Sequence, residues 1–206
     1  MAESEDYEKI LIHKMDSIKR LINKIEEIEE ESWDQIDTGA KRRVGRPPIE
    51  ELTTYTESLL FEFKSFLDII IRYMNGSDIG GGPTFNSHSL NDVSPQDNFV
   101  NDLKDYYDNG ISNQNFSINR IKKYRDAATH ATILDVGKTM KWEAGDGIPN
   151  LSENFYILPD DPDAAFDEHT YEDKIPLFGL VEEIDEIADQ IWKKLGEEDR
   201  FDNYDV

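Results

Sequence analysis

The sequence predicts an all-α fold: a bundle of four to five helices carrying one irregular or β-hairpin insertion at about residues 136–175. Three observations predict it. Apolar residues recur three and four apart in separate segments, the phase of a helix with one buried face. Glycine and proline fall mainly between those segments. The region 136–175 changes character, holding Gly137, Gly145, Gly147, Pro149, Pro159 and Pro162 around short apolar runs at 140–142 and 155–158.

Taken in order, residues 5–32 read as one long helix, because Leu11, Met15, Ile18, Ile22 and Ile25 alternate four and three apart like the seam of a coiled coil. A basic connector follows at 38–48. Pro47-Pro48 before Glu50-Glu51 is a helix start, with proline in the first turn and acids at the positive end of the dipole. The second helix runs to Met74, with Leu52, Tyr55, Leu59, Phe63, Phe66 and Ile70 on one side and Gly76 as its stop. Residues 76–98 read as a flexible, turn-rich loop. Gly80-Gly81-Gly82 lacks the Lys-Ser/Thr pair and preceding strand of a phosphate loop. Phe99, Val100, Leu103, Tyr106 and Tyr107 suggest a short helix at about 98–108. Ser117 caps the next, with Ile118, Ile121, Ala128 and Ala131 along its apolar side. Pro176 opens a last helix striped by Leu177, Leu180, Val181, Ile184, Ile187, Ile191 and Leu195, and an acidic tail occupies 197–206. The 206 residues suit a single domain with no internal repeat.

Composition narrows the function classes. With no cysteine there is no disulfide, no thiolate zinc site and no thiol chemistry. No run approaches the roughly 18 apolar residues of a membrane span, and the acidic opening residues differ from a secretory or transit peptide, so a cytoplasmic protein is expected. The chain carries 45 Asp and Glu against 22 Lys and Arg, a net charge of −23. Acid spread this evenly resembles the surfaces of proteins from salt-loving cells, and it opposes nonspecific polyanion binding. A nucleic-acid role has to rest on local patches.

One such patch is 117-SINRIKKYRDAATH-130. It holds four cations, Arg120, Lys122, Lys123 and Arg125, against the single acid Asp126, a net +3. Arg125, Asp126 and His130 supply an anion clamp, an orienting carboxylate and a titratable base. On a regular helix the five-residue step from Arg125 to His130 is about 140° around the axis, so one helix does not place both on one face. Arg125 paired with a distant acid and His130 packed at a helix end is the purely structural alternative.

The segment 125-RDAATH-130, with four residues between arginine and histidine, resembles the motif of the HEPN superfamily (higher eukaryotes and prokaryotes nucleotide-binding). The resemblance covers about a dozen residues closely and the rest only as an all-α architecture. It implies a homodimer in which two motif helices meet to form a composite site, which removes the one-face objection. It further implies a metal-independent endoribonuclease of a defence or toxin type, needing no cofactor, with RNA as substrate, transfer RNA included. An antitoxin, a nucleotidyltransferase in one subgroup, is the implied partner. That subgroup carries a tyrosine two residues after the histidine, where this chain has Thr132. In these terms Arg125 holds the scissile phosphate, His130 acts as base or acid and Asp126 holds Arg125 or His130 in place, with Arg120, Lys122 and Lys123 binding the backbone. Other members keep the fold and bind nucleotides or partners without cutting, the first alternative.

The connector 41-KRRVGRPP-48 is a second basic patch. Lys41, Arg42, Arg43 and Arg46 are phosphate-binding candidates, and Gly45-Arg46-Pro47 resembles the core of minor-groove AT-hook peptides. A DNA-associated protein is therefore the second alternative, and a plain interhelix loop the structural one. Tyr106, Tyr107 and Tyr124 are candidate stacking rings. His169, with Asp167 and Glu168, lacks the ligand spacing of a metal site.

Overall fold

The computed structural model describes residues 4–37, 49–93, 98–112, 116–130, 134, 136–143, 150–162, 164 and 168–197. It is a helical bundle with a small sheet. In chain order the elements are α1 (Ser4–Asp37), α2 (Ile49–Met74), α3 (Ser87–Asp92), α4 (Asn98–Asn109), α5 (Ile118–His130), β1 (Gly137–Glu143), β2 (Asn150–Leu158), β3 (Ile175–Pro176) and α6 (Leu177–Glu197). Among the described residues no helix is long and apolar enough to cross a membrane.

The long first helix uses its four-three seam within the chain. Tyr7, Leu11, Met15, Ile18, Ile22, Ile25 and Ile28 are all buried, and α1 packs lengthwise on α2. Lys14 Nζ reaches Glu62 of α2 at 2.8 Å, and Lys19 Nζ reaches Asp185 and Asp189 of α6 at 2.7 and 2.8 Å. Those bridges place α1 between the two other long helices. Helix α2 stops as the sequence indicates: Gly76 adopts φ +61, its amide donates to Tyr73 O, and the Ser77 amide donates to Arg72 O. That pair of bonds is the glycine-dependent Schellman arrangement, which a Cβ would strain.

The flexible linker expected over 76–98 gives way, for residues 76–93, to an ordered loop and a helical turn. Arg72 donates to the carbonyls of Ile79 at 2.8 Å and Pro83 at 3.3 Å, and Asp68 accepts the Phe85 amide at 2.6 Å. Asn86 then caps α3 reciprocally with Ser89, burying Leu90, while Phe85 and Val93 are buried on either side. Weak local propensity is overridden here by side chains of α2 that satisfy the loop's backbone.

The insertion is the hairpin alternative. β1 and β2 pair antiparallel from Gly137 opposite Ile157 to Glu143 opposite Asn150, with a one-residue slip between Lys141 and Trp142. Two residues of β3 extend the edge, where Pro176 tolerates its missing N–H. At Gly137 an added Cβ would lie 3.0 Å from Ile157 Cγ1 and 3.1 Å from a Tyr171 ring carbon, so glycine permits the close approach. Helix α6 packs on α1, α4 and the sheet. Its Glu183, 0% exposed, accepts the amides of Ile111 and Ser112, capping the chain as it leaves α4 through Gly110 at φ +73.

Candidate phosphate-binding site

Helix α5 begins where Ser117 Oγ accepts the Arg120 amide at 3.4 Å and Ser117 O accepts that of Ile121. Ile118, Ile121 and Tyr124 are buried, and Ala128 packs against the same core. Arg125 stands in that stripe, because 118, 121, 125 and 128 recur three, four and three apart. It therefore occupies a core-side position facing α2, and its side chain is only 26% exposed.

Among the described residues its guanidinium has two close partners and one unpaired nitrogen. Nη1 donates to Asp126 Oδ1 at 2.7 Å, Cζ lies 5.4 Å from the centroid of the Phe61 ring, and the buried Nε has no hydrogen-bond partner. Lys122 Nζ approaches Asp126 Oδ2 at 3.8 Å. From α2, Lys64 pairs with Asp68, its side chain only 11% exposed. Burial pushes the Lys64 ammonium below the ordinary lysine range against the pull of Asp68, and the charges of Arg125 and Lys122 push it the same way. Three cations thus converge on two carboxylates, and one of those, Asp68, also accepts the Phe85 amide. A buried donor without an acceptor beside surplus positive charge is suited to an anion with several oxygens, such as a phosphate diester.

The structure distributes the other sequence candidates differently. Asp126 holds Arg125, one of the two placements expected of it. His130 is the last residue of α5, and its side chain lies outside the described residues, as do residues 41–46 of the connector. Lys123 is exposed on α5. Arg120 leaves the patch and reaches Asp160 O at 3.5 Å, beside the bond from Tyr124 Oη to Pro159 O at 3.0 Å. Tyr124 is 0% exposed, so it cannot offer a face to a base; burial raises its phenol above the ordinary range. Tyr106 and Tyr107 are half-buried against the core on α4, and Tyr107 Oη donates to Asn119 Oδ1 at 3.2 Å. Among the described residues no group of three His, Asp or Glu is placed to hold a metal ion.

Sequence reading overlooked Phe61 and Lys64. The signal was a second stripe on α2: Glu57, Phe61, Lys64 and Asp68 recur four, three and four apart, opposite the greasy face. Three of the four side chains reach beyond the helix, and the fourth adds charge. Glu57 accepts the Leu134 amide at 2.8 Å, Phe61 underlies Arg125, Lys64 adds charge and Asp68 anchors the loop. No family model, curated protein or solved structure matches the chain.

Proposed function

We propose that the protein is a metal-independent endoribonuclease of a defence or toxin type, acting in the cytoplasm through Arg125 and His130. The observation that carries the reading is Arg125 itself, set in a core-side position with an unpartnered Nε beside Lys64 and Lys122. In this reading the 2′-oxygen of an RNA strand attacks the adjacent phosphorus while its proton passes to His130. The 5′-oxygen leaves and takes up a proton, giving a 2′,3′-cyclic phosphate and a 5′-hydroxyl end. Arg125 neutralises the charge that grows on the non-bridging oxygens, and Asp126 fixes its guanidinium. Because the two motif residues lie about 140° apart around α5, a homodimer supplies His130 of one copy to Arg125 of the other.

That angular separation favours one other reading, a bundle that grips phosphate without cutting. One experiment decides between them. The purified chain is incubated in concentrated KCl and EDTA with total and transfer RNA, beside Arg125→Ala and His130→Ala. Cyclic phosphate ends from the wild type alone establish the nuclease. A folded wild type that binds RNA and leaves it whole, with binding lost only in Arg125→Ala, establishes the binder. Cleavage that persists in both variants overturns both readings.

A further inference from the structure

Phe61 is the one large apolar side chain left exposed among the described residues, at 41%. It lies on the polar side of α2, under the Arg125 guanidinium and one turn before Lys64. An isolated exposed ring needs no explanation, but this ring sits beside Lys64, Lys122 and Arg125, which pair with only Asp68 and Asp126, in a chain of net charge −23. An apolar face ringed by cations matches a nucleotide, which presents an aromatic base on an anionic backbone. It matches an aliphatic peptide less well, since that offers no anion to the cations.

We propose that Phe61 and Lys64 form a nucleotide subsite adjoining Arg125, in which the Phe61 ring stacks a base of single-stranded RNA and Lys64 holds a neighbouring phosphate. The proposal rests on the reading of Arg125 as a phosphate ligand and adds the substrate class: unpaired strand with an accessible base. A duplex keeps its bases in the stack and withholds the face the ring requires. Lys64 gives up its bond to Asp68 in part or in whole on binding, and Asp68 keeps the Phe85 amide.

The test uses the wild-type chain and a 2′-O-methyl oligoribonucleotide, which lacks the attacking hydroxyl and stays whole, against an abasic strand of equal length and charge. The base-bearing strand is expected to bind roughly 10- to 100-fold more tightly than the abasic one. Phe61→Ala brings the two together, and Phe61→Trp restores the difference. Lys64→Met weakens both strands alike and lowers the slope of log affinity against log salt by about 0.7. A Phe61→Ala variant that keeps the wild-type preference, or a Lys64→Met variant with an unchanged slope, overturns the subsite while leaving the Arg125 reading intact. If Phe61→Ala instead alters only the sedimenting mass, the ring is a contact between copies and the proposal fails. No binding of either strand removes the subsite and the phosphate reading together. Base-dependent binding in a chain that never cuts RNA supports the subsite and removes only the nuclease.

Discussion

Where α1 meets α2 and α6, and where α6 meets α4, the bridging lysines are matched or outnumbered. Lys14 faces Glu62, Lys19 faces both Asp185 and Asp189, and Lys194 of α6 faces Asp102 of α4. At the seam of α2 and α5 the pairing differs: Lys64, Lys122 and Arg125 share Asp68 and Asp126, Glu57 is taken up by the Leu134 amide, and one guanidinium nitrogen has no acceptor among the described residues. Both regions join helices, so holding the bundle together does not account for the difference. In the first, a cation on one helix is tied to carboxylates on its neighbour. In the second the cations crowd together, and their mutual repulsion is a cost that a bound anion would relieve.

The sharpest break of that contrast is Arg125→Ala set beside Lys19→Met. Loss of the arginine is expected to slow RNA cleavage by about 10²- to 10³-fold, the usual scale for a lost charge-stabilising donor. Lys19→Met leaves the rate unchanged; a comparable slowing would mean that any lost cation matters and that the α5 cluster is not a site. Next in size is Glu183→Ala. It strips the Ile111 and Ser112 amides of their buried acceptor and should cost about 1–3 kcal/mol in denaturant unfolding, without altering RNA affinity per folded molecule. Smaller again, Lys19→Met is expected to lower stability by under ~1 kcal/mol, and less in concentrated salt than in dilute, because its partners are largely solvated.

The subtlest prediction concerns pH. The Lys64 pKa is lowered in the folded chain, so between that value and the ordinary 10.5 the unfolded chain binds more protons. Stability of the wild type relative to Lys64→Met therefore rises as pH climbs through that window. Paired melts of the two proteins read it directly, and the tyrosines that titrate nearby cancel between them. A flat difference would mean that neither burial nor the nearby cations act on Lys64 in the folded chain.

The regular helices were legible because their burial follows local spacing. Leu11 to Ile25 in α1 and Leu177 to Leu195 in α6 each mark one face, and Gly76 stops α2 by a conformational need readable from one residue. The hairpin was readable only as one of two alternatives. α3 was not readable, since Ser87 to Asp92 has little helical preference and depends on Asn86, Ser89 and the anchoring of Phe85 by Asp68. Arg125 and Asp126 stood out as a motif, yet the residues that give Arg125 its setting lie some sixty positions earlier, on a helix whose apolar stripe drew the eye. Tyr124 was misjudged for a related reason: a ring beside a cationic run looks available, and only the phase of α5 against the core shows it buried. The same phase would have diverted attention from Arg120, which serves the turn at Asp160. There, although burial pushes the carboxyl upward, bonds from Thr170 and the amides of Glu172 and Asp173, with the Arg120 charge, bring Asp160 below the usual carboxylate range.

Arg125 sits in a stripe otherwise made of isoleucine, tyrosine and alanine, against the flank of another helix. A leucine at that position would pack on the Phe61 ring, remove the unpaired donor and relieve the repulsion felt by Lys64. Arg125→Leu is therefore expected to give a chain that melts later and no longer handles RNA. A later melt with RNA binding lost would show that the arginine trades durability for work at a single turn of α5.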